Sequence, residues 1–136
     1  MDSNSESINT MQSNQTTLPN WLLIVSGLFA LLELLVSIAL FVTPESMMET
    51  VDFSATGVDE LKNMWAIRQL ALGVIFGWAT IKKSVPMLTS AYLFLFIVFI
   101  GDLTLGLAKQ EIPLIITALF MSIIAGGLLV VLKKYK

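Results

Sequence analysis

Residues 21–42 read WLLIVSGLFALLELLVSIALFV, a run of 22 residues whose one charge is Glu33. A helix rising 1.5 Å per residue needs about 20 apolar residues to cross ~30 Å of hydrocarbon. Three later stretches repeat the pattern: NMWAIRQLALGVIFGWATI (63–81), MLTSAYLFLFIVFIGDLTLGLA (87–108) and IPLIITALFMSIIAGGLLVVL (112–132). A buried helix of a soluble protein is rarely this long and uniformly apolar, and four in one chain indicate an all-α integral membrane protein. The composition agrees. Hydrophobic residues make up 56% of the 136-residue chain and charged residues 13%, against about 25% charged in ordinary soluble domains.

The connections predict the topology. Lys82–Pro86 and Lys109–Glu111 are too short for anything but a reversal, so neighbouring spans should be antiparallel. Pro86 and Pro113 fall where helices start, and a missing N–H costs little there. The long connection, Thr43–Lys62, opens with Thr43-Pro44 and carries Ser46 three residues before Glu49. This predicts a short extramembrane helix over Pro44–Val51 with a capping box, its Met47 and Met48 at the interface. The segment is either a connector over the end of the bundle or a lid on a cavity. Residues 1–18 are rich in Ser, Asn, Gln and Thr and read as a disordered polar N-terminal tail. Residues 19–136 form the four-transmembrane-helix bundle.

Lys and Arg in short loops orient such proteins, with the richer side cytoplasmic. Lys82, Lys83, Lys133, Lys134 and Lys136 lie on one side, Lys62 and Lys109 on the other. Both termini are therefore expected in the cytoplasm, with the acidic connection facing outward.

Membrane helices associate through close backbone approach and polar contacts, so small and polar residues mark inner faces. Ser26, Ala30, Glu33 and Ser37 form one stripe in the first span, and Gln69, Gly73, Gly77 and Thr80 another in the second. Tyr92, Phe96, Phe99, Asp102 or Leu103, and Gly106 follow in the third, and Ala118, Ser122 and Ala125 or Gly126 in the fourth. Gly73-x-x-x-Gly77 is expected to serve packing within the chain before dimerisation.

The composition also excludes chemistry. With no Cys and no His, there is no thiolate nucleophile, imidazole base, disulfide or Cys/His metal site. No cofactor is expected. Basic residues do not interleave with aromatics, so no nucleic-acid partner is expected either. What stands out is three charges inside apolar spans: Glu33, Arg68 and Asp102. Each costs about 2.5–3.5 kcal/mol on insertion scales and by default marks a functional site. At 1.5 Å per residue, Arg68 and Asp102 lie about 7–9 Å below the outer edge and Glu33 about 15 Å below it. The expectation is an Arg68–Asp102 pair with Glu33 beneath, the acid left without a cation.

Ile67-Arg68-Gln69-Leu70-Ala71-Leu72-Gly73, followed by Ile100-Gly101-Asp102, resembles the DoxX-like group of small bacterial four-span membrane proteins. It is most similar to uncharacterised domain families with Arg-x-x-x-Leu-Gly opening one span and Asp in the next. Arg68, Gly73 and Asp102 match; Glu33 has no counterpart in that pattern. The resemblance implies a four-helix bundle in a bacterial inner membrane and little about activity.

The leading functional expectation is a non-catalytic protein that binds a lipid-like or quinone-like small molecule. Glu33, Arg68, Asp102 and Gln69 would supply the polar site, with Tyr92, Phe96 and Phe99 as an aromatic wall leading to it. One alternative is a membrane enzyme of the lipid or isoprenoid-isomerase type with Glu33 as proton donor. The other is an accessory subunit whose polar residues only hold helices together. Expected partners are the lipid bilayer, a hydrophobic small molecule, and a second copy or another membrane protein.

Overall fold

The computed structural model describes residues 17–47 and 51–135. Its long helices are α1 (Asn20–Val42), α3 (Val58–Ile81), α4 (Val85–Lys109) and α5 (Ile112–Leu132), with a four-residue α2 (Pro44–Met47) and a closing 3-10 turn at Lys133–Tyr135. Four helices are long and apolar enough to cross a membrane. No strand occurs among the described residues. The polar tail expected over residues 1–18 falls outside the described residues up to residue 16. Leu18, however, is buried in the core, so the packed body begins there.

Helix boundaries follow local chemistry. Ser84 caps α4 by accepting a hydrogen bond from the Met87 N–H at 3.5 Å, and Pro86 and Pro113 occupy first-turn positions. α3 starts at Val58, five residues before the apolar stretch that sequence reading marks as the span. Its first turn carries Asp59 and Glu60, whose charges favour the positive end of the helix dipole. Hydropathy locates the lipid-facing part of a helix, whereas backbone bonding carries it on into water. The α3–α4 and α4–α5 turns place Lys83 (φ 51°) and Gln110 (φ 57°) in the left-handed region. In both turns the following N–H reaches back five residues, Ser84 to the Ala79 carbonyl at 3.1 Å and Glu111 to the Gly106 carbonyl at 3.0 Å, closing carbonyls the helix end leaves open.

The short helix expected over Pro44–Val51 does not reach Val51: α2 is described over Pro44–Met47, and residues 48–50 lie outside the described residues. The Ser46 hydroxyl donates to the Thr43 carbonyl at 2.8 Å, a local bond that serves a turn as well as a helix.

α1 packs closely on α3, and α4 on α5, while α3 and α4 meet more loosely. Gly73 sets the first approach. A Cβ added there would lie 2.7 Å from Leu34 Cγ and 3.1 Å from the Ala30 carbonyl oxygen. Gly77 also faces Ala30, so the GxxxG pair serves packing within the chain. In the second pair, a Cβ at Gly126 would lie 3.3 Å from the Phe96 ring. Phe29, Phe76 and Tyr92 tie α1, α3 and α4 together. Their ring centroids are 4.9–6.0 Å apart, with Tyr92 edge-on to both phenylalanines. Such pairs add about 0.5–1.5 kcal/mol beyond burial. Leu128 and Leu132 of α5 join the same core.

Candidate functional site

The inner face of α1 is the predicted one: Ser26, Ala30, Glu33 and Ser37 are all buried. Two of these residues have settled partners. The Ser26 hydroxyl donates to the Leu22 carbonyl at 2.8 Å, which uses its one proton. The 2.8 Å bond between Ser26 and Tyr92 therefore has the Tyr92 phenol donating. Ser37 donates across to the Ala66 carbonyl of α3 at 2.8 Å. Interhelical bonds of this kind contribute about 0.6 kcal/mol in membrane helices.

Glu33 differs. It is 2% exposed, and its Oε2 has no hydrogen-bond partner. On α3 the Oε1 of Gln69 is likewise buried and unpartnered. Register relates the two. Ser37 bonds to Ala66, and Ala30 abuts Gly73, which brackets Glu33 at the level of Leu70, one residue from Gln69, on the facing helix. Two orphan acceptors thus share one depth of the α1–α3 interface. This reduces the expected layering: Glu33 lies opposite Leu70 of α3, about 3 Å deeper than Arg68 where about 7 Å is expected. Depth counted from each span's own apolar end missed the offset because α3 continues past that end.

Arg68 is exposed and forms no ion pair with Asp102. Among the described residues the ion pair within 4 Å is Lys62–Asp59, at 2.9 Å. The expected Arg68–Asp102 contact is therefore not made. The α4 residues that share the groove with Arg68, Ser90, Ala91 and Phe94, lie eight or more residues before Asp102, about 12 Å or more along the helix. Arg68 points away from the α1-facing stripe of Ala66, Gln69 and Gly73, toward the side where α3 and α4 separate.

That separation leaves a groove of about 390 Å³. Arg68, Ala71, Leu72 and Ile75 line it from α3, and Ser90, Ala91 and Phe94 from α4. Its walls are apolar. The Ser90 hydroxyl is spent on the Pro86 carbonyl at 3.0 Å, so Arg68 is the one charged group on the lining, at one end of it. Along α3 the groove extends about 10 Å, seven residues at 1.5 Å each.

The expected aromatic wall does not form as a unit. Tyr92 turns into the core, Phe99 packs against that core, and Phe96 faces Gly126 of α5. Phe94 lines the groove in their place. Arg68, Ala71, Leu72 and Ile75 recur at i, i+3, i+4 and i+7, the spacing of one helical stripe. That stripe, headed by a charge and met by small residues on α4, is the signal in the sequence for the groove. Reading favoured the polar stripe one step around the helix.

Comparison with protein-family models, with curated proteins and with solved structures finds no match to this chain.

Proposed function

We propose that this chain is a multi-pass protein of a bacterial inner membrane, related to the DoxX-like group, that holds a lipid-like molecule in the α3–α4 groove. The groove carries this reading. An apolar trough with a single cation at one end suits an amphiphile, whose chain covers Ala71, Leu72, Ile75 and Phe94 and whose polar end meets Arg68. In this reading the four spans are antiparallel, with both termini cytoplasmic. The contacts support the antiparallel pairing of α1 with α3 and of α4 with α5. Moving along α1 from Ala30 to Ser37, the partner on α3 moves back from Gly73 to Ala66. Between α4 and α5, Gly106 meets Ile115 and Phe96 meets Gly126.

The isomerase alternative has less support, because the groove lining includes neither Glu33 nor Asp102. The accessory-subunit reading draws on the Ser26–Tyr92 and Ser37–Ala66 bonds, which join helices. Mass spectrometry of gently purified protein separates it from ligand binding. The expected result is a copurifying amphiphile that is lost in Ala71→Phe, a substitution at an exposed position that fills the groove without entering the core. No copurifying molecule, together with Arg68→Ala lowering only thermal stability, would reject ligand binding.

A further inference from the structure

Glu33 and Gln69 are the middle members of two facing stripes. On α1 the stripe is Ala30, Glu33 and Ser37; on α3 it is Ala66, Gln69 and Gly73. Both ends of the match are fixed. Ser37 donates to the Ala66 carbonyl at 2.8 Å, and a Cβ on Gly73 would lie 3.1 Å from the Ala30 carbonyl oxygen. Between these contacts Glu33 falls opposite Leu70, one residue or about 1.5 Å from Gln69 along the axis. Leu70 is exposed, so Gln69, with its buried Oε1, is the α3 side chain turned to Glu33 at this level. The pair belongs to the α1–α3 interface and stands apart from the α3–α4 groove, whose lining contains neither residue.

This stretch of interface lacks a donor. Glu33 Oε2 and Gln69 Oε1 are both buried without a partner, and a carboxylate and an amide oxygen can only accept. The neighbouring donors are committed: Ser37 to Ala66, Ser26 to Leu22, and Tyr92 of α4 to Ser26, two turns along α1. Arg68 is exposed and opens onto the groove. The other charged groups of α3, Asp59, Glu60 and Lys62, lie seven or more residues before Gln69, about 10 Å or more along the helix. An ionised Glu33 would thus be a sealed, unpaired charge facing a second acceptor, which costs far more than a neutral acid. A divalent cation would need about six oxygens or more, and two are on offer. A proton needs only those two.

We propose that Glu33 and Gln69 form a proton-binding pair, with the Glu33 carboxyl carrying the proton on Oε2 and donating it to Gln69 Oε1 across the α1–α3 interface. When the proton leaves, two acceptors face each other, and a bond returns only when Gln69 turns its amide N–H toward the carboxylate. The inference is independent of lipid binding in the groove.

The test is the infrared spectrum of the full chain at neutral pH in dodecyl maltoside, a detergent without carbonyl groups. A protonated carboxyl group absorbs above the amide I band, where a carboxylate does not. The expected result is such a band in the unmodified protein, moved to lower wavenumber by carbon-13 in the glutamate carboxyl groups and lost in Glu33→Gln. Among the described glutamates Glu33 is the buried one, so the label assigns the band. In Gln69→Leu the band should persist and move to higher wavenumber, because the acid loses its acceptor.

Absence of the band would show an ionised Glu33 and overturn the proposal, in favour of a donor from water, a cation or Arg68. A band that the label leaves in place would come from an aspartic acid and overturn it as well. A band lost in Glu33→Gln but unmoved in Gln69→Leu would overturn the pairing. The isotope shift on the unmodified protein decides whether Glu33 holds a proton even if neither variant folds.

Discussion

At the level of single residues, Gly73 shows how sequence controls this bundle. It is the point where α1 and α3 come closest, and an added Cβ would meet both the Leu34 side chain and the Ala30 carbonyl oxygen. Leu34 can rotate but the carbonyl oxygen cannot, so the backbones must separate. Gly73→Ala should cost about 1–3 kcal/mol, the usual range for overpacking. Gly77→Ala should be nearly neutral, because its added Cβ would stand 3.9 Å from Ala30 Cβ, an ordinary contact. Thermal unfolding of the two variants in detergent checks this, and equal midpoints would show that the α1–α3 approach is not set by Gly73. The GxxxG spacing announces a small face. That one glycine of the pair is indispensable and the other replaceable depends on where the neighbouring helix crosses, which no local pattern contains.

At the level of elements, α4 and α5 start where Pro, Ser and apolar runs indicate, and α5 begins and ends at the residues expected. The α2–α3 connection is set by short-range bonds. Asp52 accepts from the Ser54 hydroxyl at 2.6 Å and from the Ser54 N–H at 2.9 Å. These bonds, the hydroxyl first, hold its carboxyl below the ordinary value of 3.8. A depressed carboxyl stabilises the turn above its ordinary value, and the benefit is lost as pH falls through the depressed one. The Ser54 amide resonance should therefore titrate with a midpoint below 3.8, and the titration should vanish in Asp52→Asn. A midpoint at or above the ordinary value would exclude the turn. The capping box expected at Ser46 depends on Glu49, outside the described residues, while Ser46 itself turns back to Thr43. An Asx turn and an ST bond need only two or three consecutive residues, which explains why this loop could be anticipated in kind but not in extent.

At the level of the whole molecule, topology and the groove are the open properties, and the absence of cysteine makes the first directly measurable. Asp59→Cys and Lys82→Cys lie at opposite ends of α3. With the termini cytoplasmic, a membrane-impermeant maleimide applied to intact cells should label position 59 and spare position 82 until the membrane is opened. The reverse pattern would invert the orientation, and labelling of both would break the four-span topology. The tertiary arrangement is also what disperses the three charges of the apolar helices. Lying one behind another in sequence order, they suggest a single cluster. In the fold Glu33 is sealed between α1 and α3, Arg68 opens onto the groove, and Asp102 stays partly buried on α4.

What the sequence by itself determined is whatever a helix decides alone. This covers the four apolar helices, their approximate ends, the small and polar stripes that became inner faces, and the presence of three charges within apolar helices. Each follows from hydropathy, capping and a 3.6-residue period, all legible within one segment. The tertiary structure alone decided which residues share a depth and which faces part. The offset of α1 against α3 brings Glu33 opposite Leu70, one residue from Gln69, and the loose meeting of α3 and α4 opens the groove that Arg68 closes at one end. Those outcomes depend on packing between segments far apart in the chain, where a shift of one turn moves every partner by 5.4 Å.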